Sequence, residues 1–262
     1  MKFTQIRGAT SIVTYADERI LIDPVFAPKG TFPPVPSPHN TLRNPLVELP
    51  LPVAEISDVD AVIVTHMHHF DHFDEMATQS LPKDIPIFTQ DDEEKEDMRT
   101  LGFTDSRVLI PSGVIMGPIT LYGVEALHGT GESVARSYAE RNIKPTASGV
   151  MLKAAGEPTV YLAGDTIWYE GVKRNIEKFK PTVIVLNAAD ARFYDESPIL
   201  MGTDGIASTA VAAPYATIII SHLDAVNHAR VGRREIRAFL EAANLGNRVV
   251  VPEDGETVMI DK

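Results

Sequence analysis

Three short runs of β-branched and aliphatic residues constrain this chain most: Ala61-Val-Ile-Val-Thr65, Thr182-Val-Ile-Val-Leu186 and Ala216-Thr-Ile-Ile-Ile220. They are apolar at consecutive rather than alternate positions, which marks strands covered on both faces. Helical periodicity separates them. The spacing predicts helices over 73–79, 169–179, 204–212 and 233–243, the last placing Ile236, Phe239, Leu240 and Ala243 on one face. Further strands are predicted over 10–15, 19–23, 85–89, 108–110, 119–122, 148–153, 159–162 and 249–251. Each half therefore reads as a strand meander followed by strand–helix alternation. The expectation is one domain over 1–262, built from similar halves of about 1–120 and 121–262, with two sheets face to face and helices outside.

Two stretches interrupt that pattern. Between Pro24 and Pro52, Pro33, Pro34, Pro36, Pro38, Pro45 and Pro50 crowd together, which rules out regular structure and leaves either a lid or a surface excursion. The acidic run 91–97 reads as the opening of a solvated helix with no further role, because acids favour helix N-termini.

Composition removes several functions. The chain has 262 residues, 36 acidic against 24 basic, and a formal net charge of −12. Such a surface repels phosphate backbones, so a small-molecule substrate is expected rather than nucleic acid. There is no cysteine, which excludes disulfides, thiolate catalysis and thiolate-ligated metals. The N-terminus lacks a signal-peptide pattern and no apolar run reaches membrane-spanning length, so a cytoplasmic address is expected; a homo-oligomer is compatible with all of this.

Chemistry concentrates in one place. Four of the eight histidines fall in His66-Met-His68-His69-Phe-Asp71-His72, just past the strand 61–65. His66 and His68 are two apart, so on an extended backbone their rings share a side, while Asp71 and His72 are placed at the start of the next helix. Nitrogen and oxygen donors bracketing one small volume suit borderline ions such as zinc. Other donors recur just past apolar strands: His128 before Gly129-Thr-Gly131, Asp165 in Gly164-Asp165-Thr166, and His222 after Ile220. Asp23 also ends a strand, in Ile22-Asp23-Pro24. His228 and His39 carry weaker signals. Asn187 and Asn227 stand near the edges of such a site, where a structural role is the expected one.

The order of these motifs resembles the metallo-β-lactamase superfamily over nearly the whole chain, and within it the bacterial hydrolases related to ascorbate-6-phosphate lactonase. The resemblance implies an α/β fold, a four-layer αβ/βα sandwich of two mixed sheets with helices outside. It implies one or two zinc ions, with manganese or iron as substitutes. His66, His68 and His128 resemble the ligands of a first metal, Asp71, His72 and His222 those of a second, and Asp165 the bridging carboxylate. The family spacing is His-x-His-x-Asp-His, and this chain has one residue more. A register anchored on Thr65 selects His66 and His68. A register anchored on Asp71-His72 selects His69 and puts Met67 first. Methionine is a poor zinc ligand, so the first register is preferred.

The expected activity is that of a zinc-dependent hydrolase activating water against a small ester, lactone, amide or phosphodiester, with Asp71 orienting the nucleophile. A nuclease or phosphodiesterase of the same superfamily and a non-catalytic metal-binding domain are the alternatives.

Overall fold

A meander opens the chain, because β1 (Lys2–Arg7), β2 (Thr10–Tyr15) and β3 (Glu18–Ile22) are short and joined by tight turns that favour antiparallel pairing. The computed structural model describes residues 1–140, 143–144, 146–193 and 197–260. After the proline-rich segment come α1 (Val53–Ile56), β4 (Ala61–Ile63), α2 (Glu75–Ser80), β5 (Ile87–Thr89), α3 (Asp92–Thr100) and β6 (Ser106–Val108). These strands pair parallel, which requires crossovers. A second antiparallel set follows: β7 (Val114–Met116), β8 (Ile119–Glu125), α4 (Glu132–Glu140), β9 (Ser148–Lys153) and β10 (Val160–Leu162). Then α5 (Glu170–Phe179), β11 (Val183–Asn187), α6 (Thr203–Ala212), β12 (Thr217–Ser221), α7 (Arg233–Ala242) and β13 (Val249–Val250) alternate, with parallel strands again. The last strand, β14 (Thr257–Met259), returns to pair with β1.

Among the described residues the strands make two seven-stranded sheets, ordered β14-β1-β2-β3-β4-β5-β6 and β13-β12-β11-β10-β9-β8-β7. Side chains alternate across each sheet, and this explains the unbroken apolar runs. Ile20, Ile63, Phe88, Val150, Leu162, Val185 and Ile219 fill the layer between the sheets. Their neighbours face outward: Leu21, Val62 and Ile87 meet Ala77 and Met98 of α2 and α3, while Tyr161, Ile184 and Ile218 meet Ile176, Ile206 and Ile236 of α5, α6 and α7. This is the four-layer αβ/βα sandwich of two mixed sheets.

Three expectations are corrected. The division near residue 120 falls inside the β7–β8 hairpin; the change of sheet comes between Val108 and Val114, and β14 belongs to the first sheet. Asp71 and His72 do not start a helix. They lie in a turn ahead of α2, whose N-cap is Asp74, with its side chain accepting the Ala77 N–H. The strand expected over 108–110 pairs over 106–108 instead.

Candidate metal centre

Asp23 and the loops after β4, β8, β10, β11 and β12 sit at the carboxyl ends of their strands and open onto one edge of the sandwich, where α/β folds place their ligands. Backbone geometry at that edge is unusual. Asp23 (φ 45°) and His222 (φ 63°) occupy the left-handed region that non-glycine residues avoid. Gly164 (φ 66°) precedes Asp165, and a Cβ there would stand 2.6 Å from the Ser148 carbonyl oxygen, so only glycine lets β10 turn this close to β9.

Asp165 Oδ2 is the hub. It lies 3.1 Å from His72 Nε2, 3.5 Å from His128 Nε2, 3.9 Å from His66 Nε2 and 4.0 Å from His222 Nε2. Its other oxygen accepts the Asn187 amide at 2.7 Å, the structural role expected for Asn187. Asp71 Oδ2 is 3.5 Å from His222 Nε2, and His69 Nδ1 is 3.4 Å from His128 Nε2. Three donor sets, each with its ligand atoms within 4.8 Å of one another, follow: His66, His69 and His128; His66, His72 and Asp165; Asp71, His72 and His222.

Six of the seven residues named from the sequence meet here, and His68 does not. Its ring points outward, 3.5 Å from Asp97 of α3, and His69 turns in instead. Neither expected register holds, because the extra residue is absorbed in two places. Glu94 Oε1 accepts the Met67 N–H at 3.1 Å and pins the backbone beyond His66. The His69 carbonyl then accepts the N–H groups of His72 and Phe73, a turn that carries His69 into the site. The acidic helix thus has a second role beyond solvation: Glu94 is fully buried.

Electrostatics divide the cluster. Burial would raise the Asp165 carboxyl, but His72 and His222 beside it hold it well below the usual carboxylate range. Burial likewise opposes charge on His72, yet Asp165 and Asp23 on either side push it well above an ordinary imidazole. Burial opposes charge on His222 too, but Asp165 and Asp71 raise it; at three other histidines burial wins: His66 is held well below its ordinary value, His69 falls to about 3 and His228 to about 4. Neutral imidazoles with free lone pairs are what a cation requires.

A narrow cavity of about 40 Å³ opens at the cluster, its lining combining the polar His69, Asp71, His128, Asp165 and His228 with Val35, Phe70, Tyr138, Ile143, Phe193 and Ile199. None of the described residues lining it is Lys or Arg. His228, a weak signal in the sequence, sits on its wall; His39 does not. Beside Thr65 and Asn187, Tyr138 supports the site without any motif to announce it; its hydroxyl donates to the His128 carbonyl at 2.8 Å. Among the described residues no helix is long and apolar enough to cross a membrane.

Comparison with known proteins agrees with this geometry. Residues 18–223 match the model of the beta-lactamase superfamily domain. The UPF0173 protein YddR of Bacillus subtilis (strain 168) is 39% identical over 259 residues, covering 98% of this chain and 99% of that protein. A possible metal-dependent hydrolase from Veillonella parvula DSM 2008 superposes with a TM-score of 0.93 at 39% identity, over 99% of both chains. An isothiocyanate hydrolase from Delia radicum gut bacteria does so with a TM-score of 0.93 at 38% identity, again over 99% of both. The chain belongs to the beta-lactamase superfamily and is a hydrolase of its metal-dependent kind.

Proposed function

We propose that this protein hydrolyses a small, neutral, electrophilic carbon centre carried on an apolar group, using a cation held by His66, His69, Asp71, His72, His128, Asp165 and His222. One observation carries the reading. The Nε2 atoms of His66, His69, His72 and His222 are buried without a hydrogen-bond partner around Asp165. Orphaned polar atoms at this density cost several kcal/mol unless a ligand satisfies them. The donor set is nitrogen and oxygen only, which fits zinc and accepts manganese or iron. Bound there, such an ion acidifies water and polarises the bond to be broken.

The protein's own groups would do the rest. Asp71 lines the cavity and is held low by His222 and His72 despite burial, so it stays ionised and can orient the attacking water by accepting a hydrogen bond from it. His228, kept neutral by burial, offers a hydrogen bond from the wall. Val35, Phe70, Ile143, Phe193 and Ile199 exclude water and receive an apolar tail.

Substrate choice follows from that lining. A phosphodiester would meet no lysine or arginine among the described residues of the cavity. Esters and lactones fit its polarity, and a cavity with room for only a few waters favours something narrow. Isothiocyanates are linear and neutral, and the neighbour at 38% identity is named for hydrolysing them. The proposed reaction is R–N=C=S + H₂O → R–NH₂ + O=C=S. Water oxygen adds to carbon, oriented by Asp71; one water proton passes to nitrogen, and the C–N bond breaks as the second follows it, releasing the amine and O=C=S. The test is amine release from allyl and benzyl isothiocyanates, beside a lactone, an ester and a phosphodiester, before and after metal removal by chelator. Turnover of an isothiocyanate that is lost with the metal and restored by zinc is expected. Activity that survives metal removal, or confined to the phosphodiester, would sink the proposal.

A further inference from the structure

Phe70 stands between His69 and Asp71, inside the histidine motif, yet has no polar group to offer the chemistry. The turn that carries His69 into the site explains its place. The His69 carbonyl accepts the His72 N–H at 3.0 Å, which makes Phe70 and Asp71 the two central residues of that turn. Asp71 is committed to its donor set, with Oδ2 3.5 Å from His222 Nε2. The half-buried Phe70 packs instead on Phe32 of the proline-rich segment, with ring centroids 5.1 Å apart and planes at 47°. Phe32 is itself fixed, exchanging two backbone hydrogen bonds with Asn44 at 2.7 and 2.9 Å.

The cavity at the metal cluster is not the only space that Phe70 borders. A second, of about 10 Å³, is lined by Val25, Pro45, Ala225 and Val226 together with Arg7 and Gly8. Arg7 is spent on the backbone: Nη2 donates to the Val25 and Ala27 carbonyls at 2.9 Å, and Nη1 to the Val47 carbonyl at 3.2 Å. The rest of that lining is apolar. Among the described residues, Phe70 and Asp71 alone line both spaces. Residues shared by two cavities form the partition between them, and of this pair Asp71 cannot change without unmaking a donor set. Phe70 is the part of the partition that can vary in size.

We propose that Phe70 is a specificity-determining residue: its ring, backed by Phe32, closes the substrate cavity off from the second space and so limits the size of the apolar group the site accepts. This rests on the proposed function for the identity of the substrate, but not for the partition. A smaller side chain at 70 joins the two spaces and admits a longer apolar group; a larger one restricts the site to shorter groups.

The test is kcat/KM of the zinc-loaded protein for methyl, allyl, benzyl and 2-phenylethyl isothiocyanates. Phe70→Ala should raise the ratio of 2-phenylethyl to allyl turnover at least about tenfold over wild type, the scale on which single carbons are discriminated in an apolar pocket. Phe70→Trp should lower the same ratio. Phe70→Leu, the mildest truncation, should fall between wild type and Phe70→Ala, and it decides the matter if Phe70→Ala fails to fold by far-UV circular dichroism. Binding of allyl, benzyl and 2-phenylethyl alcohols, followed by the amide shifts of Val35 and Ile199, needs neither turnover nor metal and should show the same order of preference. Should the wild type hydrolyse no isothiocyanate, the proposed function fails, and the alcohol series alone decides for or against Phe70. A size preference that is the same in wild type and in every folded Phe70 variant would overturn the inference.

Discussion

At the scale of single residues, the choice between His68 and His69 shows how one side chain's direction settles a site. Both are histidines in the same loop, and spacing alone favours His68, since alternate residues of an extended strand share a side. The strand, however, ends at Ile63, and the Glu94 clip on Met67 followed by the His69–His72 turn sends His68 out to Asp97 and His69 in to His128. His69→Ala should therefore lower metal occupancy and cut kcat/KM at least about 100-fold, a loss of roughly 3 kcal/mol or more of transition-state stabilisation. His68→Ala should stay within about threefold of wild type, because an exposed ion pair contributes little. Metal analysis and steady-state kinetics on the two variants decide it; equal losses, or the reverse order, would show that the turn rearranges when metal binds. The cluster itself was legible, because few roles other than metal binding put four histidines and an aspartate in seven residues. Which of them turns inward was not, because the decision comes from Glu94, more than twenty positions away in the chain.

Elements were legible where burial on two faces left a continuous apolar run, as in β4, β11 and β12, and where a helix kept a clear stripe, as in α7. They were missed where that signal is weak. Strand β14 has three residues with none fully buried, and α4 follows two glycines and buries only Val134 and Tyr138. Helix α3 was found but misjudged, since its run of acids hides one buried member. Glu94 is held above the usual carboxylate range by burial, so in wild type the folded state binds its proton more tightly than the unfolded state does. The stability this confers is present at low pH and is lost as pH rises through the folded value; at neutral pH the buried charge is a net cost. Glu94→Gln removes the charge and keeps an acceptor for Met67. In chemical denaturation it should gain on wild type as pH rises from about 4 to 7, with little change in metal content. Glu94→Leu leaves the Met67 N–H without an acceptor and should lose about 1–3 kcal/mol together with metal occupancy. A stability gap between Glu94→Gln and wild type that shrinks with rising pH would contradict this account of the helix.

Over the whole molecule, the proline-rich segment joins the two sheets' contributions into one cavity. Asp23, His66, His69, Asp71 and His72 come from the first sheet, and His128, Asp165 and His222 from the second. The segment leaves β3, and Asn227, in the loop after β12, ties it down. Asn227 is fully buried, and its amide is saturated: Oδ1 accepts Val35 N–H and the Asn44 amide, and Nδ2 donates to the carbonyls of Val35 and Asn40, all at 2.8–2.9 Å. Backbone bonds reinforce it, Leu46 N–H to the Ala225 carbonyl among them. The strap thereby places Val35 over the metal cluster without contributing a ligand. Asn227→Ala should leave metal content unchanged while the Val35 and Leu46 amides exchange hydrogen faster. For whichever substrate the protein turns over, KM should rise several-fold more than kcat falls, because the lost wall contacts ground state and transition state alike. Asn227→Asp keeps the acceptor but not the donors and should fall between. If hydrogen exchange across residues 33–46 is unchanged in Asn227→Ala while metal is lost, the loop after β12 is holding His222 rather than the strap, and the cavity's apolar wall is secured from elsewhere.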